Sequence, residues 1–279
     1  WEGGVVDDPE ILSRELLEAE VDIYLKQSEL VQHKIQEGML TGIRNFPLFK
    51  VFTLSTCNLQ LVDLYMLDTD EKKAAFWLNT YHTLMLHAYT EAGAPTTPQA
   101  LTKFLSSYCY NIGGYVFSLN DIEHGILRQH LKPPKLGKQM KLLTGGVIQY
   151  PKKDERRPFT LSSPMPLINF AINCGCASSP PLNIYSSQNL NFELQNATKQ
   201  YLMEKNNFCL EKQDCGSNTL TVKLSKILGW NFSDFGKDKK EMLRFLLPFL
   251  PPSLSLLNEL RKGVGVGSFA VGEKEKEKE

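Results

Sequence analysis

Residues 108–121 read "YCYNIGGYVFSLND". Two short runs rich in aromatic and β-branched residues flank Gly113-Gly114, which predicts a β-hairpin closed by a tight turn. A second pair of runs, Phe208 to Lys212 and Thr219 to Lys223, frames a polar turn and predicts another hairpin. Helical patterns surround both, and no regular strand–helix–strand crossover separates them. Hairpins in place of crossovers argue for an α+β fold over a doubly wound α/β one. The expectation is a single domain over residues 1–252, with a small antiparallel sheet surrounded by helices.

Working outward, Asp8-Pro9 reads as a helix start, and Leu12, Leu16, Ala19 and Ile23 follow at helical spacing. A mostly apolar segment runs from Phe46 to Leu67. Asp68-Thr69-Asp70 opens a second helix that ends near Gly93, with Pro95 just beyond. Ser118 and Asp121 stand three apart before "IEHGILRQH", a capping arrangement for a short helix. Lys132 to Lys141 and "PKKDERRP" read as exposed loops. The apolar run from Pro166 reads as a strand ending at Cys174. Beyond it, a helix is predicted from about Leu190 to Glu204, and two more in "LSKILGW" and "KKEMLRFLLPFL". Residues 253–279 form a C-terminal extension whose "GEKEKEKE" end is predicted to be disordered.

Lys+Arg and Asp+Glu are equal at 31 each, which argues against a nucleic-acid binder working through a basic face. No apolar run reaches the length that spans a bilayer, so no membrane span is expected. The six cysteines, Cys57, Cys109, Cys174, Cys176, Cys209 and Cys215, include no CxxC pair. They read as reduced thiols, and the expected location is cytoplasmic. The chain opens on Trp1 rather than Met, as a piece cut from a longer polypeptide would.

Four segments carry a recognisable pattern: "FWLNTYHTLMLHAY", "YNIGGYVFSLNDIEHGILR", "NFAINCGCASSPPLNIY", and "LSKILGWNFSDFG" leading into "EMLRFLLPFL". In this order and spacing they resemble the family called domain of unknown function 547, a resemblance that covers roughly residues 10–252. The resemblance implies an intracellular protein, since some relatives join this domain to DEP and glutaredoxin modules and plant relatives to a coiled coil. The polar positions of the family pattern fall on Asn79, Glu123, His124, Arg128, Cys174 and Ser178. Two departures matter. Relatives often have Asn where His82 stands, and bacterial relatives often read Ser-Cys-Pro where this chain has Ser178-Ser179-Pro180. A cysteine mechanism at position 179 is therefore excluded, which leaves Cys174 as the candidate thiol.

Thiol catalysis needs a thiolate, an imidazole to accept its proton and a third group to orient that imidazole. Cys174 and His124 supply the first two types. Ser178-Ser179-Pro180-Pro181 could open a helix whose free amides favour a thiolate or an oxyanion. Asn79 and His82 share a helical face, where Asn79 could orient His124, donate to an oxyanion, or tie a neighbouring loop's backbone to the helix. Arg157 is a candidate anion clamp. His82 and His87 are five apart and there is no HExxH, so no metal site is expected, nor any other cofactor.

Two readings stay open. One is thiol-dependent acyl chemistry on a peptide or amide bond, in the manner of papain-like or transglutaminase-like enzymes. In it Cys174, His124 and Asn79 are catalytic, while His82, Arg157 and Ser178 bind substrate. The other is a non-catalytic regulatory module that binds a protein or peptide partner.

Overall fold

The computed structural model describes residues 6–30, 42–134, 149–175, 178–212, 220–252 and 269–273. The fold is α+β, and the described residues fall into two compact units. The first takes its residues from Trp1–His130, Lys138–Met165 and Leu182–Leu190; the second from Leu131–Gly137, Pro166–Pro181 and Asn191–Glu279. Several sequence features lie outside the described residues: the loop beyond Pro134, Cys176, the turn at 213–218 with Cys215 and the end beyond Glu273.

In the first unit, helix α1 spans Pro9–Leu30. The Asp8 carboxylate caps it, accepting from the amides of Glu10 at 2.9 Å and Ile11 at 3.3 Å. Helix α2 spans Pro47–Ser55, with proline in its first turn where no amide donor is needed. Helix α3 spans Asp70–Ala92 and is capped by Thr69, whose hydroxyl accepts from Lys72 N; Gly93 ends it at φ +78°. Residues 74–85 are buried on every side, so α3 is the central helix of this unit rather than an amphipathic surface helix. Trp77 shows how: its indole N–H donates to the Phe159 carbonyl at 3.2 Å and its ring packs on Phe117. Helix α4 spans Pro98–Ser107.

The hairpin predicted from residues 108–121 is present. Strands β1 (Cys109–Ile112) and β2 (Tyr115–Ser118) pair antiparallel, with Ile112 opposite Tyr115. Gly113 and Gly114 take φ of +56° and +87°, the conformation a two-residue primed turn requires. The helix expected next is instead a π-helical turn, Asp121–Leu127.

In the second unit, the apolar run from Pro166 is a 3-10 turn, Pro166–Phe170, and not a strand. Pro164 and Pro166 explain the difference, since proline has no amide to give a sheet ladder. Asn169 fixes the turn by donating to the Pro166 carbonyl and to the Asp234 carboxylate, each at 3.0 Å. Helix α5 spans Leu190–Met203, its first residue counted with the first unit. Strands β3 (Phe208–Lys212) and β4 (Leu220–Leu224) form the second hairpin, with Phe208 opposite Leu224. Strand β5 (Phe269–Glu273) runs parallel to β4, so the first two residues of the charged C-terminal motif belong to it. Helices α6 (Lys226–Trp230), α7 (Phe232–Phe235) and α8 (Lys239–Leu246) close the unit. Its core gathers Phe170, Tyr201, Val222, Leu228, Leu243 and Leu246, each at most 2% exposed.

Candidate functional site

The polar groups of α3 are the first surprise. Asn79, Tyr81 and His82 all have no solvent exposure. Buried polar groups need partners. The Asn79 side chain finds its partner in the backbone of Tyr185, donating from Nδ2 to the carbonyl and accepting at Oδ1 from the amide, both at 2.9 Å. The pair imitates one rung of a strand ladder and ties the 182–190 segment to α3. Of the alternatives open for Asn79, this is the loop tie. His82 lies under the same segment, its ring centroid 6.4 Å from that of Tyr185.

His124 sits on the π-turn. That turn begins with reciprocal capping: Asp121 Oδ2 accepts from the Ser118 amide and hydroxyl, and the Asp121 amide donates to Ser118 Oγ. It ends with the Arg128 amide donating to the Glu123 carbonyl at 2.9 Å, the five-residue closure of a π-helix. Gly125 is required at its centre, because a Cβ there would lie 2.6 Å from the Tyr150 ring. The bulge turns Glu123 and His124 side by side. His124 Nε2 lies 3.7 Å from Glu123 Oε1, and Glu123 Oε2 accepts from the Tyr81 hydroxyl at 3.1 Å. His124 Nδ1 is buried with no hydrogen-bond partner among the described residues. Burial, with Arg128 close by, holds the imidazole below its ordinary pKa of 6.5, against the opposing pull of Glu123.

The neighbouring arginines serve the fold. Arg156 pairs with Asp121 at 3.0 Å and Asp154 at 3.1 Å, and lies 4.2 Å over the Tyr150 ring. Arg157 donates from its guanidinium to the Tyr150 carbonyl at 2.8 Å.

Cys174 belongs to the second unit, where it is half-buried. Its Sγ lies 3.4 Å from Ser179 Oγ. Gly175 follows at φ +73°, and its amide donates to Asn173 Oδ1 at 2.9 Å, closing a tight Asx turn around the thiol. The segment is anchored by Tyr201, whose hydroxyl donates to the Ser178 carbonyl at 3.0 Å and lies 2.7 Å from Ser225 Oγ. A phenol has one proton, so with that proton on Ser178 the Ser225 hydroxyl donates to Tyr201. Burial pushes the Tyr201 pKa up to about 12; the nearby Cys174 adds to the rise and the Ser225 bond works against it. The expected helix start at Ser178–Pro181 is absent: the next helix begins at Leu190, because Pro180 and Pro181 hold the residues before them extended.

Cys174 and Ser178 thus lie in one unit, and Asn79, His82, His124 and Arg157 in the other. Tyr81, Tyr201 and Ser225 join the site only through the structure, as does the pairing of Glu123 with His124. Only Tyr201 carried a signal, since a tyrosine on the apolar stripe of a helix needs a buried partner for its hydroxyl. Among the described residues, no three His, Cys, Asp or Glu side chains gather as metal ligands do. No described helix is long and apolar enough to cross a membrane.

No curated protein and no solved structure matches the chain. A family match covers residues 66–202, which takes in the first three of the four recognised segments and stops short of those at 224–236 and 241–250. Over those residues the chain carries a domain of the family described as protein of unknown function, DUF547.

Proposed function

We propose that this domain performs thiol-dependent acyl chemistry on a peptide or amide bond, with Cys174 as nucleophile and His124 as its base. One observation carries the reading: the imidazole of His124 stands beside the Glu123 carboxylate, which the Tyr81 hydroxyl holds in place. A general base must be neutral before it can accept a proton, and the lowered pKa keeps His124 neutral at physiological pH. A tautomer with its proton on Nε2, facing Glu123, leaves the Nδ1 lone pair to accept. Glu123 then takes the orienting role first considered for Asn79, and Asn79 becomes a positioning residue for the Tyr185 segment.

In the reaction, the Cys174 thiol gives up its proton to the base and Sγ attacks the carbonyl carbon. The carbon–sulfur bond forms, the carbon–nitrogen bond breaks, and the leaving amine takes the proton back from the imidazolium. Water, or an acceptor amine in a transferase, then releases the acyl group from the thioester. The Ser179 hydroxyl, 3.4 Å from the sulfur, can donate to the thiolate. Ser178 contributes through its carbonyl, which holds the loop to Tyr201.

A p-nitrophenyl ester tests the proposal. Acylation should appear on the peptide containing Cys174, with release of p-nitrophenolate. Cys174→Ser should abolish it, and His124→Ala should slow it by roughly 100-fold or more. Acylation shared evenly with the exposed Cys57 and Cys109 overturns the reading.

A further inference from the structure

Helix α1 has two distinct faces. Leu17, with Ser13 and Glu20, lies on one that is fully buried. On the other, Leu12, Leu16 and Ile23 line a groove whose opposite wall is Leu48, Val51 and Phe52 of α2. The groove encloses about 440 Å³. It lies wholly within the first unit and involves none of the residues assigned to thiol chemistry. Leu48 is 43% exposed and Val51 58%, and Ile11, Leu25 and Leu54 on the same two helices are also exposed. Single exposed aliphatic side chains are ordinary; several on the two helices that wall one groove mark a surface that is covered in use.

The shape and charge of the groove define what covers it. From Leu12 to Ile23 the floor runs about 17 Å, three helical turns. The charged side chains of the lining are both acidic, Glu15 and Asp22, and both stand on the α1 side. The α2 side ends in the neutral Ser55 and Asn58. We infer that the groove docks an amphipathic helix from a partner protein, with an apolar ridge at i, i+3, i+4 and i+7 in the groove and basic residues along the flank facing Glu15 and Asp22.

The probe is a fluorescein-labelled helical peptide of Leu, Ala and Lys, about four turns long, with Leu at those four positions. Its counterpart carries Glu in place of Lys. Fluorescence anisotropy should show saturable binding of the Lys peptide, with the Glu peptide weaker by roughly three- to tenfold. Val51→Asp, at a position exposed enough to leave the fold intact, should abolish binding. Glu15→Lys with Asp22→Lys should reverse the preference between the peptides. Phe192→Asp, on an equally exposed apolar residue of α5, should change nothing. Equal binding of both peptides, or binding indifferent to Val51→Asp, overturns the inference. So does a self-associated chain in sedimentation that Val51→Asp dissociates, which assigns the groove to a second copy.

Discussion

Asn79→Ala is the substitution whose cost follows most directly from the structure. Tyr185 is 1% exposed, and its amide and carbonyl both depend on the Asn79 side chain. Alanine removes both bonds from buried backbone groups, and losing the partner of a buried donor or acceptor costs about 1–3 kcal/mol. Two such groups make about 4 kcal/mol the central expectation, lowered if a water enters the space left behind. That is a large share of the 5–15 kcal/mol by which a typical domain is stable. Urea denaturation should show the midpoint shifted down at unchanged slope, and thermal melting a fall of roughly 8–16 °C for a protein of this size. Below the transition, the acylation rate at Cys174 should fall by no more than a few-fold, because Asn79 positions a segment and does not act on the proton. A stability loss under about 1 kcal/mol refutes the clamp. A loss of acylation comparable to that of His124→Ala refutes the division of roles.

Other outcomes follow from single residues. Glu20 has no solvent exposure, both its oxygens lack partners among the described residues, and burial raises its pKa well above the ordinary 4.5. An acid with a raised folded pKa contributes stability that is full below the unfolded value and lost as pH climbs toward the folded one. The Glu20 contribution to unfolding free energy should therefore decline from about pH 4.5 upward, and Glu20→Met should remove that contribution and stabilise the protein at pH 8 by about 1–3 kcal/mol. His124 has the opposite sign: with its folded pKa below 6.5, its contribution is present above that pH and lost as pH falls through the folded pKa, a dependence that His124→Gln should erase. In the β-hairpin turn, Gly113→Ala should cost more than Gly114→Ala in urea denaturation. Both carry positive φ, but only at Gly113 would the new Cβ lie 2.7 Å from the Val62 carbonyl oxygen. Tyr201→Phe removes the anchor of the Cys174 loop and should destabilise by about 1–3 kcal/mol, through the unpaired Ser178 carbonyl and Ser225 hydroxyl.

The parts of the fold legible in sequence are those set by short-range constraints. Gly113-Gly114 is readable because a primed turn needs two positive φ values, and the Ser118–Asp121 pair because capping acts across three residues. The Pro166–Phe170 turn reads as a strand in sequence because a short apolar run has no period of its own; the flanking prolines carry the only signal against it. The site is harder still. Asn79 and Tyr185 are 106 positions apart, and nothing near either residue announces the bond. A π-turn differs from an α-turn by one inserted position, so "DIEHGIL" gives no hint that Glu123 and His124 end side by side. Residue types identified Cys174 and His124. Which groups surround each one is a property of tertiary packing.

The measurement that bears most directly on the central claim is the pH profile of alkylation at each cysteine, followed by mass spectrometry in the folded, reduced protein. The account predicts that Cys174 reacts faster than the exposed Cys57 and Cys109 and stays reactive well below the ordinary thiol pKa of about 8.5. His124→Ala should return its profile to that ordinary value, and Glu123→Gln should move it part of the way. A Cys174 profile that coincides with that of Cys57, or that is unchanged in His124→Ala, contradicts the assignment of nucleophile and base.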